Sequence, residues 1–366
     1  MMRVGLSCAT ILSGRARDGI GVYTAALADA LPGAGVEVQG FVLGTPATVD
    51  VQVVGTPRRY MEYVARDVVG MTRPMSLPVD VVHFTDYHIV PSSMPSVATL
   101  HDAVPLMHPE WVSPRLRWAK NHVMKRMARH ADQIVAVSHF AIDELVEYFG
   151  VARDRIRVVH GGIDEQWLTA APPGPAHVTL ADGRVIKDYF LCVGTFQPRK
   201  NLDRMISAYL SLPRGVRQSH PLVIVGRAGW RCEHTVQRLN DLAARGETVH
   251  WLQNIHSRQQ LRAVYDNATA LAFVSLYEGF GLPVLEAFAC GTPVITSTAS
   301  SLPEVAGGAA LLVSPHDQEE IADAMLRIAT SGEIRDTLRE AGHRRVPEFT
   351  WGQSAIKMAA VYANLI

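Results

Sequence analysis

The chain has 366 residues, enough for two domains at roughly 150 residues each, and either half is long enough to bury a core of its own. With 48% apolar and 19% charged residues it is not a disordered chain, and 35 basic against 35 acidic residues argue against bulk electrostatic binding of nucleic acid. No apolar run reaches the roughly 18 residues of a spanning helix.

Val4–Thr10 reads as a first strand. Ser7 and Thr10 break the apolar stretch that a secretory leader would need, and no small-residue cleavage site follows, so a cytoplasmic chain is expected. Gly21–Leu31 then reads as a helix ending near Pro32-Gly33, and Val36–Leu43, Val81–Phe84, Ser96–Leu100 and Gln133–Val137 read as strands. Pro114–Arg129 and Ala141–Phe149 read as helices among them. Short Val- and Ile-rich runs followed by helices are the pattern of buried parallel strands. Residues 170–187 are rich in Pro and Gly and weakly patterned, as a linker is. Beyond them the alternation restarts with the strand Tyr189–Val193 and the helix Leu202–Leu212, then Leu222–Val225, Glu233–Arg245, Val249–Leu252 and Leu261–Asn267. It continues with Ala270–Val274, Pro283–Ala289, Val294–Thr296, Ala310–Val313 and Glu319–Ser331. Two successive βα series predict two doubly wound α/β domains, with ligands beyond the carboxyl ends of the strands and the site expected in a cleft between the domains. The four cysteines, Cys8, Cys192, Cys232 and Cys290, are far apart, and the fifteen His have no metal-ligand spacing, so neither disulfides nor a bound metal is expected.

The strongest chemical signal is Glu278-Gly279-Phe280-Gly281-Leu282 leading to Glu286, two carboxylates flanking a strand-to-helix turn. Gly279 and Gly281 leave backbone N–H groups uncovered at a helix start, which suits a phosphate. Carboxylates beside a phosphate make sense if they accept hydroxyls from a sugar. Either glutamate alone would be an ordinary solvated residue; the pair around this turn is not. Pro198-Arg199-Lys200-Asn201 places two cations on the first βα turn of the second series, where they can meet an anion. His101-Asp102 ends the strand Ser96–Leu100, either as a core His with a capping Asp or as part of a site. Gly19-Ile20-Gly21 invites a dinucleotide reading, but eight residues separate it from Thr10 and Thr24 replaces the third glycine, so a loop whose amides approach a phosphate fits better.

These segments together resemble the large family-4 group of retaining glycosyltransferases with the GT-B fold, over nearly the whole chain. Glu278 to Glu286, the following Ala287–Ile295 and Leu302-Pro303-Glu304-Val305 carry the most specific part. Gly19–Tyr23, Thr99–Asp102, His108–Trp111, Val137-Ser138 and Arg157–Asp164 resemble first-domain blocks in the same order, and Gly194–Asn201 resembles the phosphate-binding segment of mannosyltransferase-like members. Many members have Arg after that glycine where this chain has Thr195; Arg199 would supply the charge.

The resemblance implies two Rossmann-like domains, residues 1–170 with 350–366 returning in a last helix and residues 188–349, joined by 171–187. It implies transfer of a hexose from a nucleotide sugar, GDP-mannose first, to a glycan or lipid-linked acceptor, with no cofactor and no metal. Glu286 would then hold the ribose and Glu278 the transferring sugar, while Lys200 and Arg199 face the diphosphate. His101 would reach the sugar from the acceptor side, and Ile255 would hold the base by its main chain. A nucleotide-sugar epimerase of the same fold, a sugar-binding protein without catalysis and a NAD-dependent oxidoreductase are the alternatives.

Between Ser113 and His130 six basic residues occur and no acid. On a helical wheel Leu116, Ala119, Val123 and Met127 share the side predicted to face the core. Arg115, Trp118, His122, Lys125, Arg126 and Arg129 gather on the other, which fits either a solvated face or peripheral binding to an anionic membrane.

Overall fold

A computed structural model describes residues 1–12, 19–45, 53–112, 114–168, 178–180, 183, 185–255 and 257–366. The chain divides into two compact units, Met1–Gly162 with Thr350–Ile366, and Ile163–Phe349. Most of the segment predicted as a linker lies outside the described residues; its described part carries a two-stranded antiparallel pair, β8 (Val178–Thr179) and β9 (Val185–Ile186), within the second unit.

Unit 1 contains the strands β1 (Met2–Ser7), β2 (Val36–Val42), β3 (Val53–Gly55), β4 (Val81–Phe84), β5 (Ser96–Leu100), β6 (Gln133–Ala136) and β7 (Ile156–Val158). They form one parallel sheet in the order β3-β2-β1-β4-β5-β6-β7. Its helices are α1 (Gly19–Ala30), α2 (Tyr60–Val68), α3 (Val104–Met107), α4 (Arg117–Ala128), α5 (Ala141–Glu144) and the C-terminal helix of the chain. Every residue of β4 and β5 is buried, as a parallel sheet covered on both faces requires. α5 runs on into a π turn, Leu145–Phe149, which ends at Gly150 with φ of +68°.

Unit 2 begins with α6 (Glu165–Leu168) and holds a second parallel sheet of six strands. These are β10 (Tyr189–Val193), β11 (Leu222–Val225), β12 (Val249–Leu252), β13 (Ala268–Phe273), β14 (Val294–Ser297) and β15 (Leu311–Val313), in the order β12-β11-β10-β13-β14-β15. The helices are α7 (Leu202–Ser211), α8 (Arg214–Ser219), α9 (Glu233–Ala244), α10 (Arg258–Asp266), α11 (Leu282–Ala289), α12 (Leu302–Ala306), α13 (Gln318–Thr330) and α14 (Gly332–Arg345). Both units are therefore doubly wound. Strand order reverses between β1 and β4 in one and between β10 and β13 in the other, the positions where such sheets open a crevice for ligands.

α15 (Trp351–Ala363) closes unit 1. Trp351, Ala355, Met358, Val361 and Tyr362 are buried, and the Tyr362 hydroxyl lies 2.7 Å from Nδ1 of His83 in the middle of β4. Nε2 of His83 lies 2.8 Å from Thr99 Oγ1, which lies 3.1 Å from the Tyr23 hydroxyl. One buried polar chain thus ties α15 and α1 to the central strands. Gly162 is required where the backbone of Thr350 and Trp351 crosses it: a Cβ there would sit 2.4 Å from the Trp351 nitrogen.

Three expectations need correction. β3 and α2 are absent from the sequence reading, because α2 buries Tyr63, Val64 and the carboxylate Asp67, which breaks an apolar stripe. Asp67 pairs with Arg126 (2.5 Å) and His130 (2.9 Å) of the α4 region. Helix α4 starts at Arg117, since Leu116 has φ of +53°. Leu116 and Ala119 are exposed, and only the C-terminal half of the helix, with Met127 and Ala128, is buried.

Candidate active site

The site in unit 2 grows from two loops at the carboxyl ends of β10 and β13. After β10, Gly194 adopts φ of +140°, and a Cβ there would lie 3.4 Å from the Lys200 side chain, which folds back over it. Asn201 then turns the chain into α7 with φ of +58°. Asparagine tolerates this left-handed conformation, and its Nδ2 donates to Val274 O (3.0 Å) and Pro315 O (2.7 Å). The two loops are stitched together: Leu276 N donates to Arg199 O at 2.7 Å, and Arg199 donates to Tyr277 O at 3.1 Å.

Glu278 sits where they meet. Its Oε2 accepts from Arg199 at 2.6 Å and its Oε1 from Lys200 Nζ at 2.6 Å. Burial alone would raise its pKa, but the Arg199 and Lys200 charges outweigh that and hold the carboxyl at about 2. Burial lowers Lys200, and Glu278 offsets part of the effect. Lys200 Nζ also lies 4.7 Å from the Phe273 ring centroid. The two cations predicted to face a diphosphate pair with Glu278, as buried charges require.

Gly281 caps α11 with φ of +131°, and Pro283 occupies its first turn. Ser301 Oγ donates to Glu278 O (2.9 Å) and Phe280 O (2.5 Å), while Glu278 N donates to Ser300 Oγ at 2.9 Å. These serines shape the turn from Gly279 to Leu282, and the sequence reading does not contain them. A serine in a Ser-Thr-Ala-Ser-Ser run carries no signal of its own.

Glu286 follows Leu282 by four residues and so lies on the same helix face, its side chain leaning back toward the helix start. Burial pushes its carboxyl up to about 7, against the lowering effect of the Tyr265 hydroxyl and Arg258. Thr195 follows Gly194, and its methyl would lie 2.8 Å from a Cβ at Gly229. Ile255 lies three residues past the end of β12, at the same carboxyl edge of the parallel sheet.

The remaining predicted residues belong to unit 1. Gly19 and Gly21 form the first turn of α1 and are not loop residues. Thr24 is fully buried and donates to Thr85 Oγ1 at 2.9 Å beyond β4, occupying the place where a dinucleotide fold has its packing glycine. His101 Nε2 lies 3.0 Å from Thr85 O. A carbonyl only accepts, so the hydrogen is on Nε2 and Nδ1 is the acceptor; burial lowers the imidazole pKa and favours this neutral form. Asp102 stands one residue before the N-cap Ala103 of α3, and its Oδ1 accepts from Val104 N (3.1 Å) and from the Tyr87 hydroxyl (2.8 Å).

On the basic face, Arg115, Trp118, Lys125 and Arg129 are exposed, Trp118 by 81%, and its ring stacks on His122 at 5.8 Å. Arg126 leaves that set, because Asp67 on α2 neutralises it. The face therefore does have an acid partner, supplied by another helix.

Two family models match. Residues 17–167 fit Glycosyltransferase Family 4, and residues 184–345 fit Glycosyl transferases group 1. The chain is 29% identical over 288 residues to O-antigen chain mannosyltransferase B of Escherichia coli, covering 78% of this chain and 74% of that one. It is 29% identical over 265 residues, 71% of this chain, to the serotype-specific mannosyltransferase WbdA of the same organism, of which it spans 32%. It is 30% identical over 301 residues to glycogen synthase of Mycobacterium tuberculosis (77% of this chain, 68% of that one). Among solved structures, Anabaena Alr3699/HepE in complex with UDP and glucose superposes with a TM-score of 0.72 at 18% identity over the full length of both chains. With both halves matched in order and the doubly wound architecture in place, the chain belongs to the group 1, family-4 glycosyltransferases of GT-B fold.

Proposed function

We propose that this glycosyltransferase transfers a hexose, mannose from GDP-mannose as the first choice, to an acceptor hydroxyl with retention and without a metal. The observation that carries the reading is the Arg199–Lys200–Glu278 cluster at the β10/β13 switch point, in the loop that leads into α11 and its Glu286. A nucleoside diphosphate entering unit 2 takes over Arg199 and Lys200, and this releases Glu278 to accept sugar hydroxyls. Glu286 accepts from the ribose. Lys200 then meets the charge that develops on the diphosphate as the bond from C1 to the phosphate oxygen breaks. The acceptor oxygen bonds to C1 on the same face, and its proton leaves with the phosphate oxygen. Mannose is favoured by the mannosyltransferases of Escherichia coli among the relatives; the UDP and glucose in the Anabaena structure make UDP-glucose the competing donor.

A thermal-shift panel of GDP-, UDP-, ADP- and dTDP-sugars against NAD tests the donor. A ligand at 100 times its dissociation constant adds about 2.7 kcal/mol to stability. Stabilisation by NAD alone would overturn the reading, and turnover of the donor without any acceptor would make the protein an epimerase.

We also propose that unit 1 docks on an anionic membrane. Arg115, Trp118, Lys125 and Arg129 are joined there by exposed Met61, Val68, Val69 and Met71 on and after α2, which the Asp67–Arg126 pair holds beside α4. Cations around exposed apolar side chains suit an anionic interface.

A further inference from the structure

The Tyr265 hydroxyl donates to Oε2 of Glu286 at 2.7 Å. Tyr265 is fully buried on α10, and Trp167 of α6 meets its ring edge-on at 5.7 Å. The helix is anchored as well: Thr292 Oγ1 donates to Tyr265 O at 2.8 Å, Arg258 pairs with Asp164 at 2.5 Å, and Arg262 donates to Trp167 O at 2.7 Å. The phenol is a rigid donor aimed at a carboxylate from outside its own helix.

We propose that Tyr265 is a positioning residue for the donor: by donating to Oε2 it fixes the Glu286 carboxylate and reserves Oε1 for the ribose hydroxyls. This rests on the reading of Glu286 as the ribose anchor. Burial and the Glu286 charge push the Tyr265 phenol far up, so its O–H is always present. The contact has a second consequence, because burial brings Glu286 up to about 7 and the Tyr265 hydroxyl and Arg258 oppose that rise, while Asp164 adds to it. Other titratable groups on elements beside α11 are Cys290 just past its end, Arg262 and Asp266 on α10, Glu304 on α12, and Arg339 and His343 of α14 near Gly291. Removing the phenol O–H raises the Glu286 pKa further, and a neutral carboxyl accepts ribose hydroxyls less strongly. The loss is therefore largest on the acid side of neutrality.

The test is to titrate GDP and UDP, each against its 2′,3′-dideoxy analogue, into the full chain at mildly acidic and mildly alkaline pH. Wild type should prefer the ribose form by about tenfold or more, the worth of a hydrogen bond to a charged group, and the preference should shrink on acidification. Tyr265→Phe should lose most of that preference at acid pH and regain part of it at alkaline pH, with affinity for the dideoxy form unchanged. A purely structural role would weaken both forms alike at every pH, and that result overturns the proposal. Glu286→Gln separates the two readings. If it keeps the ribose preference, or if neither diphosphate binds wild type, the ribose anchor itself falls. If it abolishes the preference while Tyr265→Phe matches wild type, only the role of Tyr265 falls. Should Tyr265→Phe not fold, 3-fluorotyrosine at 265, a stronger donor of nearly the same size, must move the acid limb to lower pH; an unmoved limb refutes the proposal.

Discussion

Glu278 holds two buried cations that a diphosphate must take from it, so donor binding in unit 2 is an exchange of partners. Lys200→Ala should lower turnover at saturating donor by about 10²–10³, the cost of one preorganised donor, with Arg199→Ala equal or milder. Glu278→Gln strands Lys200 and should cost about 3–5 kcal/mol of stability near neutral pH. The sign with pH follows from the depressed carboxyl. Its contribution is fully present above the ordinary glutamate range and is lost as pH falls toward the folded value of about 2. The melting-temperature gap between wild type and Glu278→Gln should therefore narrow as pH drops below about 4.5. A gap constant through that window would show that the ion cluster is not what the substitution removes. The placement of Glu278 and Lys200 is legible because each sits in the loop after a strand, and that of Glu286 because the helix starting at Leu282 carries it one turn on. Tyr265 was not legible: a tyrosine on the buried face of a helix reads as core whether or not its hydroxyl has work to do. Asp67 was hidden for the opposite reason, since a carboxylate in a buried stripe is an exception that only its partners explain.

The strand bounds are the most legible elements in the sequence. Val81–Phe84, Ser96–Leu100, Tyr189–Val193, Leu222–Val225 and Val249–Leu252 have the predicted bounds, because short, mostly apolar runs between turn residues admit little else. α4 was read worst. Of the side predicted to face the core, Val123 and Met127 pack against it, whereas Leu116 and Ala119 are exposed. α15 carries the clearest element-scale prediction. Its buried Trp351, Met358 and Tyr362 are worth about 1.5–3 kcal/mol each if large apolar side chains set the scale. Their sum is comparable to the whole stability of a domain, so deleting 350–366 should unfold unit 1 and not trim a tail. Tyr362→Phe is the gentler test. It leaves Nδ1 of buried His83 without its partner and should cost about 1–3 kcal/mol, read by chemical denaturation. Burial drives the His83 pKa down to about 3, so the neutral ring is the native form. Unit 1 should accordingly lose stability as pH falls from the ordinary histidine value toward 3, where the unfolded chain binds the proton and the folded one does not. His83→Gln should flatten that slope.

At the scale of the whole molecule, the alternation of short strands and helices made two doubly wound units legible, because each βα pair leaves little choice of topology. The return of residues 350–366 to unit 1 has no local signature; it depends on a buried polar chain from Tyr362 through His83 and Thr99 to Tyr23 that only the folded sheet assembles. Among the described residues no helix is long and apolar enough to cross a membrane, and 35 basic residues against 35 acidic ones leave no net field to draw the protein to an anionic surface. The association proposed above therefore rests on the local face of α2 and α4. Charge reversal separates the local cause from the global one. Lys125→Glu with Arg129→Glu changes the balance to 33 basic and 37 acidic residues, a net charge of −4 counted from the same 35 and 35. Arg214→Glu with Arg245→Glu, at exposed positions of unit 2, gives the same net charge. Each basic residue near an anionic bilayer contributes about 1 kcal/mol, and two reversals at the surface should reduce binding by more than tenfold. In co-sedimentation with phosphatidylglycerol vesicles at low salt, wild type and the unit 2 pair should pellet alike, and the α4 pair should stay in solution. Trp118→Ala should weaken binding less, and its deficit should persist at salt that abolishes the electrostatic part, because apolar insertion is not screened. Equal loss in both reversed pairs would assign the association to net charge, and no pelleting of wild type would leave α4 as a solvated face.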